Sequence, residues 1–150
     1  MSETTPAFAL AEGEGERFGW SGVEFEVLAS AEQTGGRCSL LTDRSDAMTV
    51  AWHVHEDDEV FYVLEGRYRL RCGEDTFEAG PGGLVFLPRG VPHEQTVLED
   101  GSRKLVILVP GGFERFFREM SEAINEEALT PTRRAEIAGR HRIRWLSRSA

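Results

Sequence analysis

Period-two alternation constrains this chain more than any other feature. Val23–Leu28 alternates apolar with polar residues, and so does Cys38–Thr42. Within Ala47–His55, Val50, Trp52 and Val54 take one face and Ala51, His53 and His55 the other. The clearest run sets Arg67, Arg69 and Arg71 against Tyr68, Leu70 and Cys72. A half-buried strand, wet on one side and packed on the other, satisfies that period.

Punctuation follows the same plan. Gly66 lies between two strands and Gly73 ends the second. Gly80-Pro81-Gly82-Gly83 turns before Leu84–Leu87, and Pro88-Arg89-Gly90 turns again. About eight or nine short strands at regular spacing predict a closed all-β sandwich or barrel, spanning residues 20–110. Residues 1–19, rich in Glu, Gly and Ala and without period, read as a loose arm. Beyond Gly111-Gly112 the period lengthens. Phe113, Phe116, Phe117, Met120 and Ile124 form one apolar stripe on a helix, and Pro131 can open a second. The arginine-rich end of this helical extension, 112–150, reads as a solvated surface helix, with His141 and Trp145 in surface or packing roles.

At 150 residues, 40% hydrophobic and 29% charged, this is one domain with a real core, neither disordered nor membrane-spanning. Its longest aliphatic run, Leu105–Val109, is strand-sized and closed by Pro110. The first residues show no basic region before an apolar stretch, so a cytoplasmic protein is expected. A net charge of −9 argues against nucleic acid as a partner. Cys38 and Cys72, without CxxC spacing, read as free thiols of a reducing compartment.

Three of the four histidines carry the candidate chemistry. His53 and His55 stand at i, i+2, so a strand points both imidazoles to one face. Glu59 follows past the turn Glu56-Asp57-Asp58, and His93 opens another strand. If those strands are neighbours, three imidazoles and a carboxylate converge on one divalent transition metal. That donor set suits Fe, Mn, Ni, Cu, Co or Zn. An isolated HxH is more often a surface pair; here the surrounding glycines and prolines change the balance.

The stretch His53-Val54-His55-(three residues)-Glu59-(six residues)-Gly66 resembles the first motif of the cupin superfamily. Gly82-(five residues)-Pro88-Arg89-Gly90-(two residues)-His93 resembles the second. Ala47 stands where the first motif usually has glycine, and Val97 where the second often has asparagine; neither is a ligand position. The resemblance implies a double-stranded β-helix, or jelly roll, holding a metal on His53, His55, Glu59 and His93. It also implies a homodimer built with the barrel's first strands. The segment Pro110–Phe117 is similar to the C-terminal element of small quercetin-dioxygenase-like cupins, a helix packed beside the barrel.

Glu59 has two roles open to it: fourth ligand, or a base accepting a substrate proton. With the histidine face inward, parity nominates Ala51, Phe61, Val63, Tyr68, Leu70 and Gln95 for a substrate pocket. That wall is mainly apolar, with Tyr68 and Gln95 able to hydrogen-bond, although a barrel interior must be filled in any case. Arg89 reads as a loop residue near the rim. The implied activity is metal-dependent chemistry on a small organic molecule, with a quercetinase-type dioxygenase as its sharpest form. A metal-dependent isomerase, decarboxylase or cyclase needs the same four residues. A non-catalytic barrel that binds a small molecule or metal is the other class.

Overall fold

The computed structural model describes residues 4–147. Its elements run β1 (Glu16–Trp20), β2 (Val23–Ala29), α1 (Ala31–Thr34), β3 (Ser39–Ser45), β4 (Met48–Val54), β5 (Asp58–Glu65), β6 (Tyr68–Cys72) and β7 (Asp75–Ala79). They continue with β8 (Leu84–Leu87), β9 (His93–Val97), β10 (Ser102–Val109), α2 (Glu114–Asn125), α3 (Pro131–Arg140) and β11 (Arg144–Trp145). The strands pair antiparallel in two sheets, ordered β1-β2-β3-β10-β5-β8 and β11-β4-β9-β6-β7. Strand β10 sits between β3 and β5, so distant segments interleave and the two sheets form a jelly roll.

Alternation decides what goes inside. Along β10, Ser102, Lys104, Val106 and Leu108 are buried while the residues between them are partly exposed. Along β6, Tyr68, Leu70 and Cys72 face the core and Arg69 is exposed. Leu41, Leu70, Leu87 and Leu108 are fully buried, each contributing about 1.5–3 kcal/mol against the exposed state. Gly66 joins β5 to β6 with φ +81°, and a Cβ there would meet Ser102 Oγ at 2.0 Å, so only glycine fits this turn.

The C-terminal helices cover one opening of the barrel. Phe116, Met120 and Ala123 bury the stripe of α2. The carboxylate of Glu114, itself buried, accepts hydrogen bonds from the Ala31 amide (2.8 Å), the Gly112 amide (3.0 Å) and the Ser39 hydroxyl. One acidic side chain in the helix's first turn thus pins α2 to the β2–β3 side of the barrel.

Three features depart from the sequence reading. The expected arm ends early, because residues 16–20 pair with β2 as β1. The short helix α1, closed by a Ser30/Gln33 capping box, was not anticipated. The expected solvated tail contains α3, yet Ile137 is 0% exposed, and the chain returns as β11 alongside β4. One isoleucine among arginines is too weak a period to reveal a buried face. Residues 1–3 of the arm and 148–150 of the extension lie outside the described residues. Both cysteines are free thiols, and no helix among the described residues is long and apolar enough to cross a membrane.

Candidate metal centre

His53 of β4 and His93 of β9 are direct cross-strand partners, with ring centroids 4.4 Å apart. A register shift between Val50 and His53 interrupts β4, so the run expected to alternate evenly is bulged just before the first histidine. His55 follows one residue beyond β4, its ring 5.7 Å from His53 and 4.9 Å from His93. One ligand atom from each of the three buried imidazoles lies within 4.8 Å of the others. Glu59 comes from β5 in the opposite sheet, and its carboxylate lies 3.0 Å from His55 Nε2. Both sheets therefore meet at this cluster. Phe113 packs against His55, with ring centroids 4.7 Å apart and planes tilted by 32°.

The ring nitrogens are set for ligation. His53 Nδ1 donates to the Ala51 carbonyl at 2.7 Å, and His93 Nδ1 donates to the Val91 carbonyl at 3.1 Å. A carbonyl only accepts, so the proton sits on Nδ1 and each Nε2 keeps its lone pair. His93 Nε2 is buried with no hydrogen-bond partner among the described residues, and its lone pair suits a metal ion.

Electrostatics agree with that state. Burial, reinforced by the neighbouring His93, lowers the His53 pKa to about 4, and burial lowers that of His93 as well. Both are neutral near pH 7, as metal ligands must be. Burial pushes Glu59 up, but the His55 hydrogen bond and the nearby imidazoles outweigh it and hold the carboxyl at about 2. Burial lowers His55, while Glu59 raises it further and wins. The residues present fit a divalent metal: three imidazole nitrogens and an ionised carboxylate within reach.

The cluster opens onto a cavity of about 340 Å³. His53, Glu59 and His93 line it, together with three residues named from parity: Ala51, Phe61 and Gln95. Val63, Tyr68 and Leu70, also named from parity, do not line it. They are 1% exposed or less and pack the sandwich centre. Val63 lies one inward position beyond Phe61 on β5, and no residue of β6 lines the cavity. Gln95 Oε1 is buried and lacks a hydrogen-bond partner among the described residues. Arg89 ties its loop to Asp58, donating to that carboxylate from its main-chain N–H (2.8 Å) and its guanidinium (2.9 Å).

Sequence reasoning missed much of the cavity wall. Phe113, Phe116, Phe117 and Met120 line it from the C-terminal cap, and Trp20 and Phe25 from the first two strands. The helical stripe was visible, but its period cannot say that it covers a cavity. Asp43 and Lys104 also line the cavity as a buried pair, Lys104 Nζ lying 2.8 and 2.6 Å from the two carboxylate oxygens. The ammonium also lies over the rings of Phe61 (4.6 Å) and Tyr68 (4.8 Å).

A jelly roll with histidines from two adjacent strands at one opening defines a class, and the comparisons agree with it. The cupin-domain family model matches residues 41–109. The chain is 30% identical to the uncharacterized protein SCO3923 of Streptomyces coelicolor over 104 residues, 69% of this chain and 95% of that one. It is 26% identical to quercetin 2,3-dioxygenase of Bacillus subtilis over 117 residues, 77% of this chain but 35% of that enzyme. Among solved structures, KdgF from Halomonas sp. matches with a TM-score of 0.65 over 73% of this chain and 99% of that chain, at 17% identity, a likeness of fold alone. This chain belongs to the cupin family, with a buried histidine triad able to bind a metal.

Proposed function

We propose that this cupin is a metal-dependent enzyme acting on a small organic molecule, and that its sharpest form is a quercetinase-like dioxygenase. The observation that carries the reading is the buried cluster of His53, His55 and His93, its members within 4.8 Å and opening onto an apolar cavity. His53, His55 and His93 would hold the ion, with Glu59 as fourth ligand or base. A bound divalent metal would supply Lewis-acid polarisation of a substrate oxygen and, if redox-active, a route to dioxygen.

The remaining roles fall to the chain's own side chains. Glu59 is ionised and buried, so it can accept the proton of an enol or hydroxy-ketone oxygen presented beside it. The aromatic cap of Phe113, Phe116 and Phe117 keeps water from that oxygen and gives a flat substrate two walls. In the same reading the chain works as a homodimer, joined through the apolar outer face of its six-stranded sheet.

Elemental analysis of purified protein beside a His53→Ala/His93→Ala double variant tests the first step. About one redox-active transition metal per chain, lost in the variant, is expected. Oxygen uptake with quercetin then tests the dioxygenase. Metal without uptake across a polyphenol panel would leave Lewis-acid isomerase, decarboxylase or cyclase chemistry, and ligand bound without turnover would leave a binding barrel. Folded protein that takes no metal on reconstitution would end the enzyme reading.

A further inference from the structure

The cavity wall carries two cations, and they differ in kind. Lys104 is engaged by both oxygens of Asp43. Arg134, on α3, has no carboxylate partner among the described residues; its guanidinium lies 3.8 Å over the ring of Trp145. Trp145 is in turn the cross-strand partner of His53, through the pairing of β11 with β4. A stacked guanidinium has its plane fixed while its N–H fork stays free, the arrangement that receives a carboxylate in two parallel hydrogen bonds. Trp145 stands one strand beyond a candidate metal ligand, which puts the guanidinium it carries on the order of 10 Å from the histidine cluster. The surface between them is aromatic, with Phe116 6.0 Å from Trp145 and next to Phe113 and Phe117.

We propose that Arg134, held on Trp145, anchors an anionic oxygen of the substrate, so that the cavity selects flat aromatic or enolic acids. Their carboxylate lies at Arg134 and their metal-binding oxygens at the histidines. The proposal rests on the metal-cavity reading above and adds the substrate's acidic end.

The test compares caffeate, a catechol at one end and a carboxylate at the other, with its uncharged methyl ester, by titration of metal-loaded full-length protein. Wild type is expected to bind caffeate at least about tenfold tighter than the ester. Arg134→Gln should bring that ratio near one without weakening the ester, and Arg134→Lys should keep part of it. Arg134 is exposed on its helix, so these variants should fold, and unchanged melting temperature and metal content check that they do. A ratio near one in wild type, or one untouched by Arg134→Gln, overturns the proposal and leaves Arg134 as packing for Trp145. Binding of neither probe overturns it too. Repeating the titration after chelation separates the two readings. A preserved ratio with undiminished affinity would sink the metal's role in binding but keep Arg134.

Discussion

His53 gives its Nδ1 proton to a main-chain carbonyl and leaves its other nitrogen bare inside the barrel. Its pKa of about 4 lies below the free value of 6.5. Between those two values the unfolded chain binds a proton that the folded chain refuses, so stability of the metal-free protein falls as pH drops through that window. The loss from His53 is on the order of 3 kcal/mol, and His93 adds in the same direction. His55, whose pKa is raised, works oppositely, losing stability as pH rises above its free value. Urea unfolding of chelated protein from pH 7.5 to 4.5 should record the decline, and His53→Ala should flatten it. A second prediction concerns the buried pair. Lys104→Met strands the Asp43 carboxylate and should cost about 3–5 kcal/mol, whereas Lys104→Met/Asp43→Leu should recover most of it, read as melting temperature. Burial already pushes the Asp43 pKa upward against the pull of Lys104. His53, His55 and Glu59 were legible from their local spacing, and His93 from the glycines and prolines that precede it. The Asp43–Lys104 pair was not, because the register that brings these residues together is a property of the closed sheet.

Among elements, β4 and the C-terminal cap decide the shape of the site. The bulge in β4 sets where His53 points, and no turn residue within the run announces it. Helix α2 was readable from its stripe of Phe113, Phe116, Phe117 and Met120. The rest of the cap was not, since α3 offers Ile137 and Ala138 as its buried residues and β11 is two residues long. Arg140 and His141 fasten α3 to α2 through Glu119, at 2.9 and 3.1 Å. Ile137→Ala should therefore lower stability by about 2–5 kcal/mol, depending on how far the site collapses. It should also speed trypsin cleavage after the arginines of α3 while the barrel core stays resistant, as limited proteolysis would record.

For the whole molecule, two rows of side chains cross the outer face of the six-stranded sheet. One runs Phe86, Val60, Ile107, Leu40 and the other Leu84, Tyr62, Leu105, Thr42. Leu84 is 62% exposed, Phe86 54% and Tyr62 40%. Together the exposed members form a patch on the order of 500 Å², within the roughly 300–600 Å² of a typical monomer's largest apolar patch, which is often functional. With a polar rim this approaches the ~800 Å² per partner of a standard interface. The uncharged centre suits a second copy, because it brings no like charges together. Sedimentation should find a dimer at micromolar concentration, and Leu84→Glu/Phe86→Glu should give a monomer with its metal content intact.

The interleaving of β10 between β3 and β5 has a kinetic consequence. The large sheet cannot close until the chain has formed through Val109, and the histidines of β4 and β9 meet across equally distant segments. Long-range pairings of this kind place folding on the millisecond-to-second scale, even with the β1–β2 and β6–β7 hairpins as local starting points. The cage therefore exists late: the imidazoles of His53 and His93 come together only once β9 has paired with β4, whereas His53, His55 and Glu59 are neighbours in the chain from the start.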